Sequence, residues 1–161
     1  MAELELTRSS IDRRLFELEG VGTLRFRGMI SPSATAEAGG RQWRIARVGF
    51  WRRSIEATDE TGEVVGHFDP HGFRRGGTLR WGARDLALRA ASSWRERYAL
   101  VEEERELALL DGKDWGRRPV KVVVDDAAEV EPGLLLFAVF VVRGLADDAS
   151  GAAATVTVIN T

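Results

Sequence analysis

Hydrophobic positions recur at every second residue through most of the chain. Leu79 and Trp81 alternate with Thr78, Arg80 and Gly82; Leu86, Leu88 and Ala90 alternate with Ala87 and Arg89; Val120, Val122 and Val124 face away from Lys121 and Asp125. Successive side chains of a strand point to opposite faces, so this period predicts strands with one buried face. Trp51, Ile55 and Ala57 share a face with Arg53, which interrupts the pattern. Turn chemistry separates the runs. Asp59-Glu60-Thr61-Gly62 links Trp51–Thr58 to Glu63–Phe68, Asp111-Gly112 and Arg117-Arg118-Pro119 bracket a short link, and Gly39-Gly40 and Gly76-Gly77 read as breaks. The segment Ser31–Gly40 is small, polar and low in complexity, and reads as a mobile loop. Eleven or twelve strand candidates precede residue 126, at intervals of about 8–12 residues, the spacing of all-β sandwiches and barrels.

After Glu131-Pro132-Gly133 the period changes. Leu134–Val142 is a run of nine apolar residues, closed by Arg143. Proline is tolerated in a first helical turn, and Glu129 and Glu131 suit the positive end of a helix dipole, so a helix is predicted over 132–146. Asp147 and Asp148 lie at the unfavourable end, which predicts fraying near Ala146. Phe137, Val139, Phe140, Val141 and Val142 are also good strand formers, and a buried central strand is the alternative. Ala152–Ile159 alternates as Thr155, Val156, Thr157 and Val158, and residues 152–161 read as a terminal strand or tail.

A helix lying on a sheet shows one apolar stripe and one polar face. Leu134–Val142 has no polar face, so it must be surrounded on all sides. A helix with its side chains is about 10–12 Å across. Eight strands enclose too little space for it, whereas barrels of about eleven hold a central helix. The expected fold is therefore mainly β: a closed antiparallel barrel of about 12 strands around a hydrophobic C-terminal helix. A smaller, lipocalin-like barrel with the helix packed outside is the alternative, but an outer helix would be amphipathic.

The stretch from Phe50 to Ala146, with WRRSIEATDETGEVVGHF, TLRWGARDLALRAASSWRERYALVEEERELALL, the valine strand and LLLFAVFVV, resembles the tubby C-terminal superfamily, which includes the plant LURP-one-related proteins and the phospholipid scramblases. The resemblance implies a twelve-stranded barrel threaded by its closing helix, and strands ending in aspartate-x-x-glycine turns. It also implies binding of phosphoinositides through basic side chains, or work at membranes. The family's basic residues and the scramblase calcium site do not align onto this sequence, and the proline-rich and cysteine-rich segments of the scramblases have no counterpart in it.

Composition narrows the chemistry. A chain of 161 residues is the size of one domain, taken here as 1–161, and buries roughly 70% of its unfolded surface, enough to fold without staples. The absence of cysteine removes disulfides and thiol chemistry. The N-terminal MAELELTRSS has charges at positions 3 and 5 and no apolar run, and no run approaches the roughly 20 residues of a membrane span, so a cytoplasmic protein without a transmembrane segment is expected. A net charge of −2 argues against nucleic acid as a partner. The 21 arginines against 2 lysines look like a compositional habit of the source genome. Residues 41–97 carry a balance of +5 and residues 98–161 one of −6, a segregation that would attract phosphates or anionic headgroups to one side.

Arg52-Arg53 and Arg74-Arg75 are the candidate anion-binding residues. Arg74-Arg75-Gly76-Gly77 sets two guanidiniums beside glycines that let a backbone approach an anion. Charged outward strand faces would account for the same arginines. His67-Phe68-Asp69-Pro70-His71 holds both histidines, and His67 and His71 are weak metal candidates; the competing reading is a polar turn. Glu102, Glu103, Glu104 and Glu106 read as a solvated turn, and Asp125-Asp126 as the end of the valine strand. Trp43, Trp81 and Trp94 sit in core patterns, Trp51 is ambiguous, and Trp115 reads as exposed. No phosphate loop, GxSxG elbow, His-Glu-x-x-His or dinucleotide fingerprint occurs. These features point to a non-enzymatic domain without a cofactor that binds an anionic ligand or a phospholipid headgroup at a membrane surface. Another protein as the partner and a small-ligand cup are the alternatives, and an enzyme is a third.

Overall fold

The computed structural model describes residues 1–28, 33–49, 53–72, 75–92, 96–112 and 120–159, with 149–159 described as backbone alone. Twelve strands come first: β1 (Ala2–Arg8), β2 (Leu15–Leu18), β3 (Gly22–Arg27), β4 (Ser33–Ala38), β5 (Arg41–Val48), β6 (Ser54–Asp59), β7 (Val64–Pro70), β8 (Gly76–Trp81), β9 (Arg84–Ala90), β10 (Arg97–Glu102), β11 (Arg105–Asp111) and β12 (Lys121–Val124). Each pairs antiparallel with its neighbour in sequence, and β1 closes on β12 with Leu4 opposite Val122 and Ala2 opposite Val124. Closure leaves no strand with an unpaired edge. One helix follows, α1 (Pro132–Ile159), and its first part fills the barrel.

The two ends of the barrel differ. The connections β2–β3, β4–β5, β6–β7, β8–β9 and β10–β11 take two to four residues, and the other six take five to nine. An up-and-down barrel alternates its connections between ends, so tight turns gather at one rim and long loops at the other. Asp59 shows how a tight turn is made: its Oδ1 accepts from Thr61 N at 2.9 Å, Thr61 Oγ1 at 2.6 Å and Glu63 N at 3.1 Å. These bonds, that from the Thr61 hydroxyl foremost, hold its carboxyl below the usual carboxylate range.

α1 enters at the tight-turn rim. The Glu131 carbonyl accepts the first helical bond from Leu135 N at 3.0 Å, and Pro132 takes the position where a missing N–H costs nothing. Gly133 passes under two indoles: a Cβ there would lie 2.7 Å from Trp81 and 2.8 Å from Trp43. Beyond it, no residue of Leu134–Val142 is more than 4% exposed. The wall supplies Leu24, Ile45, Phe68, Leu79, Leu88, Leu100 and Val122 around it, the inward members of the alternating runs. The expected barrel of about twelve strands around a hydrophobic helix is the observed fold, and the central-strand and outer-helix alternatives are excluded.

Three expectations need correction. Residues 33–38 of the expected loop 31–40 form β4, whose Ala34, Ala36 and Ala38 point inward and are buried. The helix backbone comes nearest to this strand, and alanine is the side chain that permits the approach. Small residues that resembled low complexity are the seat of the helix; residues 31 and 32 lie outside the described ones.

Gly76 and Gly77 are no break either: they open β8, and a Cβ on Gly77 would meet the Phe68 ring at 2.7 Å. Third, α1 neither frays near Ala146 nor gives way to a strand at 152–159; it runs on as helix to Ile159. A barrel closed by β1 and β12 offers a thirteenth strand no edge to pair with. Residues 147 and 148 consequently sit well inside the helix, away from the last turn where its dipole acts.

Candidate functional site

At the long-loop rim the barrel opens into a cavity of about 1100 Å³, between the far part of α1 and strands β5, β6, β7, β8 and β10. The helix contributes Val141, Gly144, Leu145 and Asp148, positions spaced i, i+3, i+4 and i+7 and therefore on one face. Ile55 and Phe68 continue the apolar floor from the wall. The apolar part of the cavity is thus an extension of the core, and polar groups ring its upper part.

Arg47 is one of these. On β5 the inward positions are Trp43, Ile45 and Arg47, so the strand that buries an indole and an isoleucine ends by pointing a guanidinium at the helix. Its Nη2 lies 3.3 Å from both carboxylate oxygens of Asp148. Arg53, from the β5–β6 connection, reaches the same carboxylate through Nη1 at 3.3 Å and is far more exposed. It precedes β6, which begins at Ser54, so it does not interrupt that strand's alternation.

Arg75 lines the same cavity but is fully engaged. Its guanidinium meets Glu96 at 2.6 Å, donates to the Ser92 carbonyl at 3.0 Å and lies over the Tyr98 ring at 5.7 Å. The Glu96 hydrogen bond raises its pKa further. Tyr98 donates its hydroxyl to Glu96 at 2.7 Å; burial, then that carboxylate, push the phenol up to about 12. This group ties β8 to β10 across the rim. Gly76 lines the cavity with φ of 102°, and a Cβ there would meet the Leu88 carbonyl, while a Cβ on Gly77 would meet the Phe68 ring.

The structure brings together Arg53 and Arg75 of the four candidate arginines; Arg52 and Arg74 lie outside the described residues. The residue that the sequence reading passed over is Arg47, and the alternation Trp43-Ile45-Arg47 was the signal that turns it inward.

The two histidines part company. His71 lines the cavity, while His67, on the outer face of β7, lies 3.5 Å from Glu56 and 3.0 Å from Asp69. Among the described residues, no group of three or more His, Asp or Glu could hold a metal ion. Ser54 donates to Asp69 at 2.6 Å, so the carboxylate stands between hydroxyl and imidazole. A nucleophilic triad needs the imidazole in the middle.

Of the expected turn, Glu103 and Glu104 form the β10–β11 connection, with φ of 47° and 65°, whereas Glu102 ends β10, held by Arg84, and Glu106 lies in β11. Trp43 and Trp81 are core; Trp51, Trp94 and Trp115 lie outside the described residues.

The described lining residues carry three arginines and three carboxylates, Asp69, Glu96 and Asp148. Among these described residues the charges balance, and two of the three arginines, Arg47 and Arg53, converge on one of the carboxylates. Among the described residues, no helix is long and apolar enough to cross a membrane. Comparison with protein-family models, with curated proteins and with solved structures found no match to this chain.

Proposed function

We propose that this chain is a non-enzymatic binding domain of the cytoplasm that takes an anionic ligand, or the anionic headgroup of a phospholipid, at the long-loop rim of its barrel. One observation carries the reading: two guanidiniums, Arg47 and Arg53, converge at 3.3 Å on a single carboxylate at the edge of a cavity of about 1100 Å³ with an apolar floor. Converging arginines suit carboxylate and phosphate oxygens. The Ser54–Asp69–His67 order supports a site without nucleophilic chemistry. The barrel around a central helix supports a place beside the tubby C-terminal superfamily.

The test is co-sedimentation with phosphatidylcholine vesicles, with and without phosphatidylserine, at rising salt. Binding to the anionic vesicles, weakening steeply with salt and lost in Arg53→Glu, is the expected result. Equal binding to both kinds of vesicle, or none at low salt, refutes the headgroup reading. A polypeptide partner is the second reading, favoured by the backbone of α1 continuing to Ile159 through a stretch, 149–159, without a charged residue.

A further inference from the structure

We infer that Asp148 occupies the anion subsite as an internal stand-in, and that the ligand it stands in for is an amphiphile: a single carboxylate or phosphate monoester on an apolar body. The inference rests on the binding reading above and sharpens it.

Pair geometry is the first argument. Two pairs elsewhere on the barrel are tight: Arg84 holds Glu102 at 2.7 and 2.9 Å, and Arg89 holds Glu104 at 2.9 and 3.1 Å, while Arg97–Asp111 at 3.2 Å and Arg105–Asp125 at 3.6 Å are looser. Charge-assisted bonds of this kind run about 2.7–2.9 Å. All three contacts to Asp148 are 3.3 Å. The helix backbone fixes where Asp148 sits, and its short side chain leaves both arginines at arm's length. A free carboxylate or phosphate, under no such tether, can close those gaps.

Charge is the second argument. Two guanidiniums converge on Asp148, while the neighbouring Asp147 is drawn more strongly to Arg143 than to Arg47. The other acids of the cavity are committed: Asp69 to Ser54 and His67, and Glu96 to Arg75 and Tyr98. A ligand with one anionic group satisfies the corner, and Asp148, already 29% exposed, turns toward water. A polyanion would set its remaining charges against Asp69 and Glu96.

The third argument is what adjoins the corner. Ile55, Phe68, Val141 and Leu145 line the same cavity. A bare anion would leave them in contact with water, whereas an aliphatic or aromatic body covers them.

The experiment is calorimetric titration of the full chain with decanoate, decyl phosphate, decanol and inorganic phosphate, each as monomer, beside the vesicle assay. Decanoate and decyl phosphate should bind, with decanol and inorganic phosphate each at least about tenfold weaker. Asp148→Asn should tighten decanoate binding about tenfold by removing the competitor, and Arg47→Gln should weaken it by about as much.

Thermal unfolding checks that each variant folds, and Asp148→Ser replaces Asp148→Asn if that one does not. A folded Asp148 variant that binds decanoate no better than the parent overturns the stand-in role, and decanol binding as tightly as decanoate overturns the anion subsite. Vesicle binding without decanoate or decyl phosphate binding would leave the headgroup reading standing and refute this one; loss of both refutes both.

Discussion

The indole N–H of Trp81 donates to Glu131 Oε2 at 2.8 Å, tying the end of β8 to the residue whose carbonyl starts α1. Glu131 also lies 3.6 Å from Arg84, whose guanidinium donates to the Glu129 carbonyl at 3.0 Å. The chain is thereby held where it turns from the wall into the interior. Glu131→Ala should lower stability by about 1–2 kcal/mol, and Glu131→Gln, which keeps the acceptor, by less. Urea unfolding with an unchanged m-value is the measurement; an effect confined to the m-value would show that the contact acts on the unfolded chain instead.

The alanines of β4 set how closely helix and wall approach. Ala36 is fully buried opposite Leu24, and two residues along β3 a Cβ on Gly22 would lie 2.8 Å from that of Ala38 and 3.1 Å from Leu136. Ala36→Leu adds three carbons where none fit, and should cost about 1–3 kcal/mol or more. Ala36→Ser should be milder. Thermal unfolding ranks the two, and a neutral Ala36→Leu would mean that the helix can shift to make room.

Glu103 and Glu104 occupy the left-handed region, with φ of 47° and 65°, in a two-residue turn that favours Asn-Gly. Left-handed backbone costs an ordinary residue about 1 kcal/mol. Glu104 is held by Arg89 at 2.9 Å, while Glu103 can be exchanged without breaking that pair. Glu103→Asn should raise stability by about 0.5–1 kcal/mol, read as a higher unfolding midpoint in urea. An unchanged midpoint would place the turn under no strain.

Tyr98 is the one tyrosine, so its ionisation can be followed by absorbance in the intact protein. Burial first, and the Glu96 carboxylate second, raise its pKa from 10.0 to about 12, against a smaller opposing effect of Arg75. The fold therefore favours the neutral phenol. The stability this confers is complete below about pH 10 and is lost as pH rises toward 12. The titration midpoint should lie near 12 in the folded protein and fall in Glu96→Gln. A midpoint at the ordinary tyrosine value in the folded parent would mean that Tyr98 is in water.

The fold was legible because its two signals are local. Alternation at Leu79-Trp81 or Leu86-Leu88 names an inward face without reference to any partner, and a helix without a polar side calls for enclosure wherever it lies. Arg47 was legible by the same rule, as the third inward residue after Trp43 and Ile45. What escaped depends on pairs far apart in the chain. Arg75 reads as a free cation until Glu96 and Ser92, both in the β9–β10 connection, are placed beside it. Asp148 reads as a helix-breaking charge until Arg47, 101 positions earlier, is seen to reach it. The small, low-complexity look of the segment around Ala34, Ala36 and Ala38 concealed a packing surface because smallness serves both a loop and a close approach. The tail alternation at Thr155–Val158 misled because side-chain pattern carries no information on whether a pairing edge exists.

The element that fills the barrel comes after all twelve strands that surround it. During synthesis the ribosome releases a wall before there is anything for it to enclose, and the seam between β1 and β12 joins residues more than a hundred positions apart. Neither half of the molecule has an interior of its own. Folding should accordingly be slow, dominated by long-range pairing, and all-or-none, with no stable partial product. A nascent chain halted before residue 132 would present its future core as bare apolar strand faces, the form most in need of a chaperone.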